Sequence, residues 1–395
     1  MLHISRRTFG RMTFALIGGR LTLHAAPDID AALGASVQRH GIPACAAMVA
    51  GADHTIYHGA FGTRDSESRT PVTTQTIFRI ASMTKPVTAV AAMQLVERGK
   101  VKLDDPVGRY VPELARLEVL EGFAADGHPI LRPAAGPVLL RHLLTHTSGF
   151  AYEIWDADLT RYSEYLQKSK QPAPAVTPLK FDPGMRWEYG YSMDWAGRVV
   201  EAVSGQTLEA YFQQEILQPL GMKDTSFILA EEKFDRLVGV YQRDEGGLLK
   251  ERPRKMPKPA TTFSGGGGLY STPEDYVRFM QMFLRGGQGI LRGGTVKLMS
   301  TNHIGKLSAG KLKSVTPQTS SDMDLHPGHT DGFGYGFLIN SESGRLAWAG
   351  IDNTFFWIDP KRRLCAVIMM QFLPFCDQQA IGTLQDFDKS VYATV

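Results

Sequence analysis

Ser82-Met83-Thr84-Lys85 sets a hydroxyl and an amine three positions apart. A serine hydroxyl is a poor nucleophile at neutral pH and needs a base within hydrogen-bond reach. On a helix, positions i and i+3 share a face, so Lys85 reaches Ser82 Oγ. Pro86 follows at once, and proline is tolerated only in the first helical turn, so Ser82 falls very near a helix N-terminus. Unpaired N–H groups and the positive end of the helix dipole there favour an oxyanion on a carbonyl adduct of Ser82. The chemistry that suits this set is attack on an ester or amide carbonyl. A lysine base must be neutral part of the time, and its ordinary pKa of about 10.4 must be lowered by burial or a second cation. Alternatively Lys85 stays charged and lowers the pKa of a tyrosine that then acts as base. Tyr189 is the candidate, because it follows the turn Asp182-Pro183-Gly184 and precedes an apolar helix at 195–204. On its own, a tyrosine between Trp187 and Tyr191 reads as core packing.

The Ser-x-x-Lys spacing also arises by chance, and Ser308-Ala309-Gly310-Lys311 repeats it. Context separates the two. Residues 81–99 carry Val87, Val90, Met93, Leu95 and Val96 at near-helical spacing, with Gly99 as the stop. The second copy lies in a Gly/Lys-rich stretch with no apolar run behind it. Upstream, 28–39 reads as an amphipathic helix, and 44–50 and 55–61 as two β-runs around Gly51-Ala52-Asp53. Further helices are expected at 139–144, 193–204, 208–216 and 273–284, with long loops near 121–137 and 303–331. The chain end turns β-rich at 336–340, 346–349, 354–358 and 364–371, and a helix starts near 378. Strands at both ends imply one shared antiparallel sheet flanked by helices, an α/β (α+β) class. The expected organisation is one catalytic domain at 27–395. Residues 27–100 and 330–395 form its sheet lobe, 101–329 an inserted mainly helical lobe, and a cleft lies at the junction.

The 395-residue chain is 43% hydrophobic and 21% charged, an ordinary globular composition. A net charge of +3 gives no case for nucleic acid or an anionic membrane, and the run Arg252-Pro253-Arg254-Lys255 reads as a solvated loop. No uncharged apolar stretch is long enough to span a bilayer. Ser5-Arg6-Arg7-Thr8-Phe9, a short apolar region and Leu23-His24-Ala25-Ala26 resemble a twin-arginine export signal over 1–26, which Arg20 interrupts. Export to the periplasm or medium is expected; the alternative is a cytoplasmic protein with a ragged basic start. Cys45, Cys365 and Cys376 show neither a disulfide framework nor a zinc spacing.

Together these residues resemble the class C β-lactamase-like serine hydrolases, a group that includes lactamases, DD-peptidases, D-aminopeptidases, family VIII carboxylesterases and acyltransferases. Ser82-Met83-Thr84-Lys85-Pro86 is similar to the nucleophile motif, and Pro183 to Tyr189 to the segment ending in the second-motif tyrosine. Trp348-Ala349-Gly350 stands where the third motif belongs. The blocks 143–149, 219–222 and 265–269 are similar as well. The resemblance implies a β-lactamase/transpeptidase-like fold. It implies Ser82 as acylated nucleophile, Lys85 and Tyr189 as proton relay, and the backbone N–H groups of Ser82 and Ile351 as oxyanion hole. Two departures matter: Trp348 replaces the lysine that helps hold a lactam carboxylate, and Tyr191 replaces an asparagine. Both resemble the carboxylesterase branch, whereas Tyr189-Gly190 with Asp194-Trp195-Ala196-Gly197 looks like the fungal statin-pathway acyltransferases.

The resulting expectation is a carboxylesterase for short-chain acyl esters, with a small-molecule ester, amide or lactam substrate and no cofactor. Trp348, Gly350, Tyr191 and Phe150 are its expected substrate-binding residues. Lactam or D-peptide hydrolysis, acyl transfer to an alcohol, and an idle binding scaffold are the alternatives. His142 and His146 are four apart but lack a third ligand, so they read as satisfied structural histidines and no metal site is expected. His326-Pro327-Gly328-His329 is too short and flexible a segment to argue for a metal. The glycine run 265–268 is no phosphate loop, since no Lys-Ser/Thr follows; it suits close backbone packing beside the cleft. Oligomeric state has no signature here.

Overall fold

A computed structural model describes residues 27–169, 172 and 174–395; the leader expected at 1–26 lies outside them. Strands from both ends of the chain do share one sheet. Its members are β1 (Ala44–Gly51), β2 (Thr55–Gly62), β3 (Gly332–Phe333), β4 (Leu338–Ile339), β5 (Leu346–Gly350), β6 (Thr354–Asp359) and β7 (Leu364–Met369). They lie in the order β3-β4-β5-β6-β7-β1-β2, and every neighbouring pair is antiparallel. The N- and C-terminal segments meet at β1 and β7, where Ala46 stands opposite Met369 and Gly51 opposite Leu364.

Strands β1, β5, β6 and β7 are buried along their whole length, so both sheet faces are covered. Neighbours on β6 show what covers them. Trp357 points to Phe387 of the C-terminal helix, with ring centres 5.5 Å apart, and Phe356 points the other way to Tyr276, at 5.1 Å. The first face carries α1 (Pro27–His40) and the C-terminal helix Gln378–Thr394, joined by Ser36 Oγ donating to Asp386 at 2.6 Å. Tyr276 belongs to the helix Pro273–Leu284, which packs on β1 and β7. The sequence reading placed 273–284 with the insertion; its buried Phe279, Met280 and Phe283 instead make it a cover of the sheet. Thr272 caps this helix by accepting from Asp275 N, and Pro273 opens it, a start worth about 1 kcal/mol.

Two further helices carry the cleft. Following α1 in the chain, α2 (Thr84–Glu97) is buried nearly all round, so it is a central core helix. Packed against it is α3 (Ser192–Ser204), which stops at Gly205 with φ 70°. The stretch 121–137, expected as a loop, holds most of a hairpin of Glu118–Phe123 with Pro129–Pro133. Prolines at a strand's ends and a bulge between Leu120 and Gly122 hid the alternation. The helix expected at 208–216 is Leu208–Phe212, continued by a wide π turn over Gln213–Leu217.

Candidate active site

Ser82 does not open the α-helix itself. It lies in a 3-10 turn, Ala81–Met83, that runs into α2. Ala81 adopts φ 44°, a conformation that costs a residue with a Cβ about 1–3 kcal/mol and that concentrates at functional sites. Surrounding contacts hold it there: Met83 N donates to Ile80 O, Tyr276 Oη donates to Met83 O at 2.9 Å, and Leu269 N donates to Thr84 Oγ1. Lys85, in the first turn of α2, is only 1% exposed. Its Nζ lies 3.1 Å from Ser82 Oγ and 3.2 Å from Tyr152 Oη, and it donates to the Gly266 carbonyl at 2.5 Å. Three partners match the three bonds that a lysine nitrogen can form in either protonation state.

The Gly266 carbonyl reaches Lys85 because the glycine run lies flat against α2 and α3. Thr88 Oγ1 donates to Gly265 O at 2.7 Å, and Asp194 Oδ1 accepts from Gly266 N and from Ser264 Oγ. A Cβ on Gly266 would sit 2.1 Å from Asp194 Oδ2, so only glycine fits this approach.

Tyr189 arrives on a segment zipped to the loop before it: Gly184 N donates to Thr147 O, Glu188 N to His146 O, and Tyr152 N to Tyr189 O. Its ring centre lies 4.7 Å from Lys85 Nζ. Its oxygen accepts from the indole N–H of Trp348 at 3.3 Å. Trp348 is on β5, which passes close to the Ser82 turn because Gly350 has no side chain. A Cβ there would lie 2.4 Å from Ile80 O and 2.3 Å from Thr354 Oγ1. Ile351 follows at the strand's end in a turn pinned by Asn353, whose amide bonds Phe372 O and Pro374 O.

These residues surround a cavity of about 360 Å³. Ser82, Tyr152, Tyr189, Tyr191, Trp348 and Ile351 line it, and Ile154, Trp155, Met323 and Phe375 add apolar surface. Two expected substrate residues do not. Phe150 is wholly buried and stacks on Trp195 at 5.9 Å, a core position that its apolar neighbours dictate. Gly350 spaces the strand from Ile80 rather than facing the cavity. The second Ser-x-x-Lys is placed elsewhere: Ser308 is exposed, and Lys311 lies on a short strand paired to Asp324 at 3.4 Å.

Tyr152 escaped the sequence reading, and Asp194 entered it only within the 194–197 block, with no role of its own. Tyr152 follows the block ending Ser148-Gly149, and Asp194 is a lone acid in the first turn of an amphipathic helix; both signals were visible but unspecific. Burial, then the nearby Asp194 carboxylate, pushes the Tyr152 phenol well above the usual tyrosine range. Tyr191 is pushed up too, by burial and by its 2.7 Å hydrogen bond to Glu153. Tyr189 is the phenol whose oxygen meets an N–H donor and not a carboxylate. His146 corrects an expectation. It is buried with φ 57°, yet neither ring nitrogen has a partner among the described residues. The rings of Trp187, Tyr189, Phe333 and Trp348 enclose it, and burial, then Lys85, holds its pKa far below the usual value. His326 is tied to Asp331. Among the described residues no group of acids, histidines and cysteines stands in metal-binding geometry.

Comparison with known proteins widens this picture. The sequence pattern of the family described as Beta-lactamase matches residues 29–385. The chain is 30% identical to the ML-236A carboxylate methylbutanoyltransferase of Penicillium citrinum, over 93% of this chain and 94% of that one. It is 31% identical to the lovastatin esterase of Penicillium rubens, over 89% and 94%. Among solved structures, a mutant of simvastatin synthase from Aspergillus terreus superposes with a TM-score of 0.80 at 30% identity, covering 92% of this chain and 94% of that one. A family match that begins in α1, ends in the C-terminal helix and takes in the whole cleft leaves one conclusion: this chain is an enzyme of the β-lactamase family of serine hydrolases.

Proposed function

We propose that this enzyme cleaves esters of a short acyl group with a larger apolar alcohol, through an acyl-Ser82 intermediate. One observation carries the reading: a serine hydrogen-bonded to a buried lysine opens on an aromatic-lined cavity whose third-motif position holds Trp348, not a cation. A cavity of about 360 Å³ is of the size that houses a drug-like molecule, well beyond a short acyl chain alone. Without a lysine at position 348, a lactam carboxylate loses the partner that the lactamases provide.

Ser82 Oγ attacks the ester carbon as its proton passes to the Lys85–Tyr189 pair. The tetrahedral oxygen takes its negative charge toward the N–H groups of Ser82 and Ile351. Collapse breaks the C–O bond, the pair returns the proton to the leaving alkoxide, and an alcohol departs. Water then attacks the acyl-Ser82 ester by the same route and releases the acid. Trp348 is a positioning residue that orients the Tyr189 oxygen.

A second reading has its own support, since the relatives include enzymes named as acyltransferases. A second alcohol in place of water would then accept the acyl group. Turnover of a butyrate ester and of a chromogenic cephalosporin, with products analysed in the presence of an added alcohol, tests both. Ester turnover far above cephalosporin turnover is expected, and a new ester among the products marks transfer. Cephalosporin turnover equal to that of the ester would overturn the esterase reading.

A further inference from the structure

The basic run Arg252-Pro253-Arg254-Lys255 has no part in the reaction described above, and its sequence reads as a solvated loop. In the structure it follows the short strand Leu249–Glu251 and walls a hollow of about 320 Å³ together with Arg79, Leu237, Val238 and Tyr270. A third hollow of about 270 Å³ shares Arg79 and Tyr270 with this one. It also shares Ala81, Gly268 and Ile351 with the Ser82 cavity. The three form one trough that leads from the nucleophile to the basic run. Arg79 is three residues before Ser82, so their Cα atoms stand at most about 11 Å apart.

The carboxylates nearest the trough are already engaged. Asp352 is buried and accepts from Arg79 Nη2 at 2.7 Å, Asp65 pairs with Arg254 at 3.2 Å, and Glu251 accepts from Ser66. Two further cations line the trough. The Arg252 side chain donates to the neutral side chain of Gln242 while its charge also reaches the buried Asp352, and Lys255 makes no ion pair among the described residues. Both are exposed, and both face a hollow that opens toward the acylation site.

We propose that this trough is a subsite for an anionic group on the substrate, a carboxylate or a phosphate, borne by the part that leaves Ser82. Arg252 and Lys255 bind it, while Leu237, Val238 and Tyr270 cover the apolar stem between that group and the ester. A guanidinium and an ammonium lining one hollow suit either oxyanion. The proposal rests on Ser82 being the nucleophile.

The test is a set of esters with one acyl group and one alcohol chain, ended by a methyl, a carboxylate or a phosphate monoester. The value of kcat/KM is measured for the wild type, for Arg252→Ala/Lys255→Ala and for Arg252→Glu/Lys255→Glu, each checked for folding by circular dichroism. The wild type should favour an anionic end over methyl by about 10-fold at low salt, less at high salt. The alanine pair should bring that ratio near one, and the glutamate pair should invert it. The better of the two anions names the group the site is built for. Equal rates for all three esters in the wild type, or a preference that survives both double variants, would overturn the proposal. Failure to turn over any ester, the methyl-ended one included, would instead remove the Ser82 reading beneath it.

Discussion

The segment around Tyr152 and the segment around Tyr189 both bring a phenol to Lys85, yet they surround it differently. Tyr152 Oη bonds Lys85 Nζ directly at 3.2 Å but has the Asp194 carboxylate 3.4 Å away, so its proton is held. Tyr189 sits with its ring beside the lysine and its oxygen on the Trp348 N–H. Closeness to the amine therefore does not mark Tyr152 as the base, because an anion beside a phenol opposes its ionisation; the base proposed above is Tyr189, whose oxygen meets the Trp348 N–H.

Among substitutions, the largest effect is expected at Ser82, the proposed nucleophile beside Lys85. Ser82→Ala should lower kcat for a butyrate ester by about 10⁴-fold or more, while Ser308→Ala should leave it intact. Tyr189→Phe should cost about 10²–10⁴-fold in kcat, the usual range for a lost acid–base group. Tyr152→Phe removes one hydrogen bond to Lys85 and should cost about 10-fold or less. A larger loss at Tyr152 than at Tyr189 would reverse their roles. Trp348→Phe keeps an aromatic ring but deletes the donor to Tyr189; a loss of about 3–10-fold in kcat with KM little changed is expected.

The smallest effect concerns the segment that carries Tyr189, and it appears in stability. Burial, then Asp156, raises the Glu188 carboxyl from 4.5 to about 7. The folded chain thus keeps a proton that the unfolded chain releases. This contribution is complete below about pH 4.5 and is lost as pH rises through about 7. Urea unfolding at pH 5 and pH 8 should show Glu188→Gln gaining about 1–3 kcal/mol on the wild type across that interval. A constant difference between the two proteins would mean that Glu188 ionises freely in the fold.

What the sequence revealed followed from how local each signal was. The Ser82–Lys85 contact needs only one helical turn, and Pro86 marked its position. The shared sheet was legible because β1, β5, β6 and β7 are continuous apolar runs bounded by turns. Tyr152 was missed because its approach to Lys85 depends on the 147–152 and 184–189 segments pairing, which no local pattern encodes. The misplaced Phe150 shows the same limit: an aromatic beside a motif faces cleft or core according to the packing of α3, here through Trp195. The helix at 273–284 was read correctly as a helix but joined to the wrong layer, since periodicity reports an apolar face and not its partner.

The most direct measurement is active-site labelling. The intact enzyme is treated with a fluorophosphonate, digested, and the modified peptide sequenced by mass spectrometry. One adduct is expected, on Ser82, absent from Ser82→Ala and retained by Ser308→Ala, with loss of ester turnover in step with labelling. An adduct on any other residue, or full labelling with turnover undiminished, would contradict it.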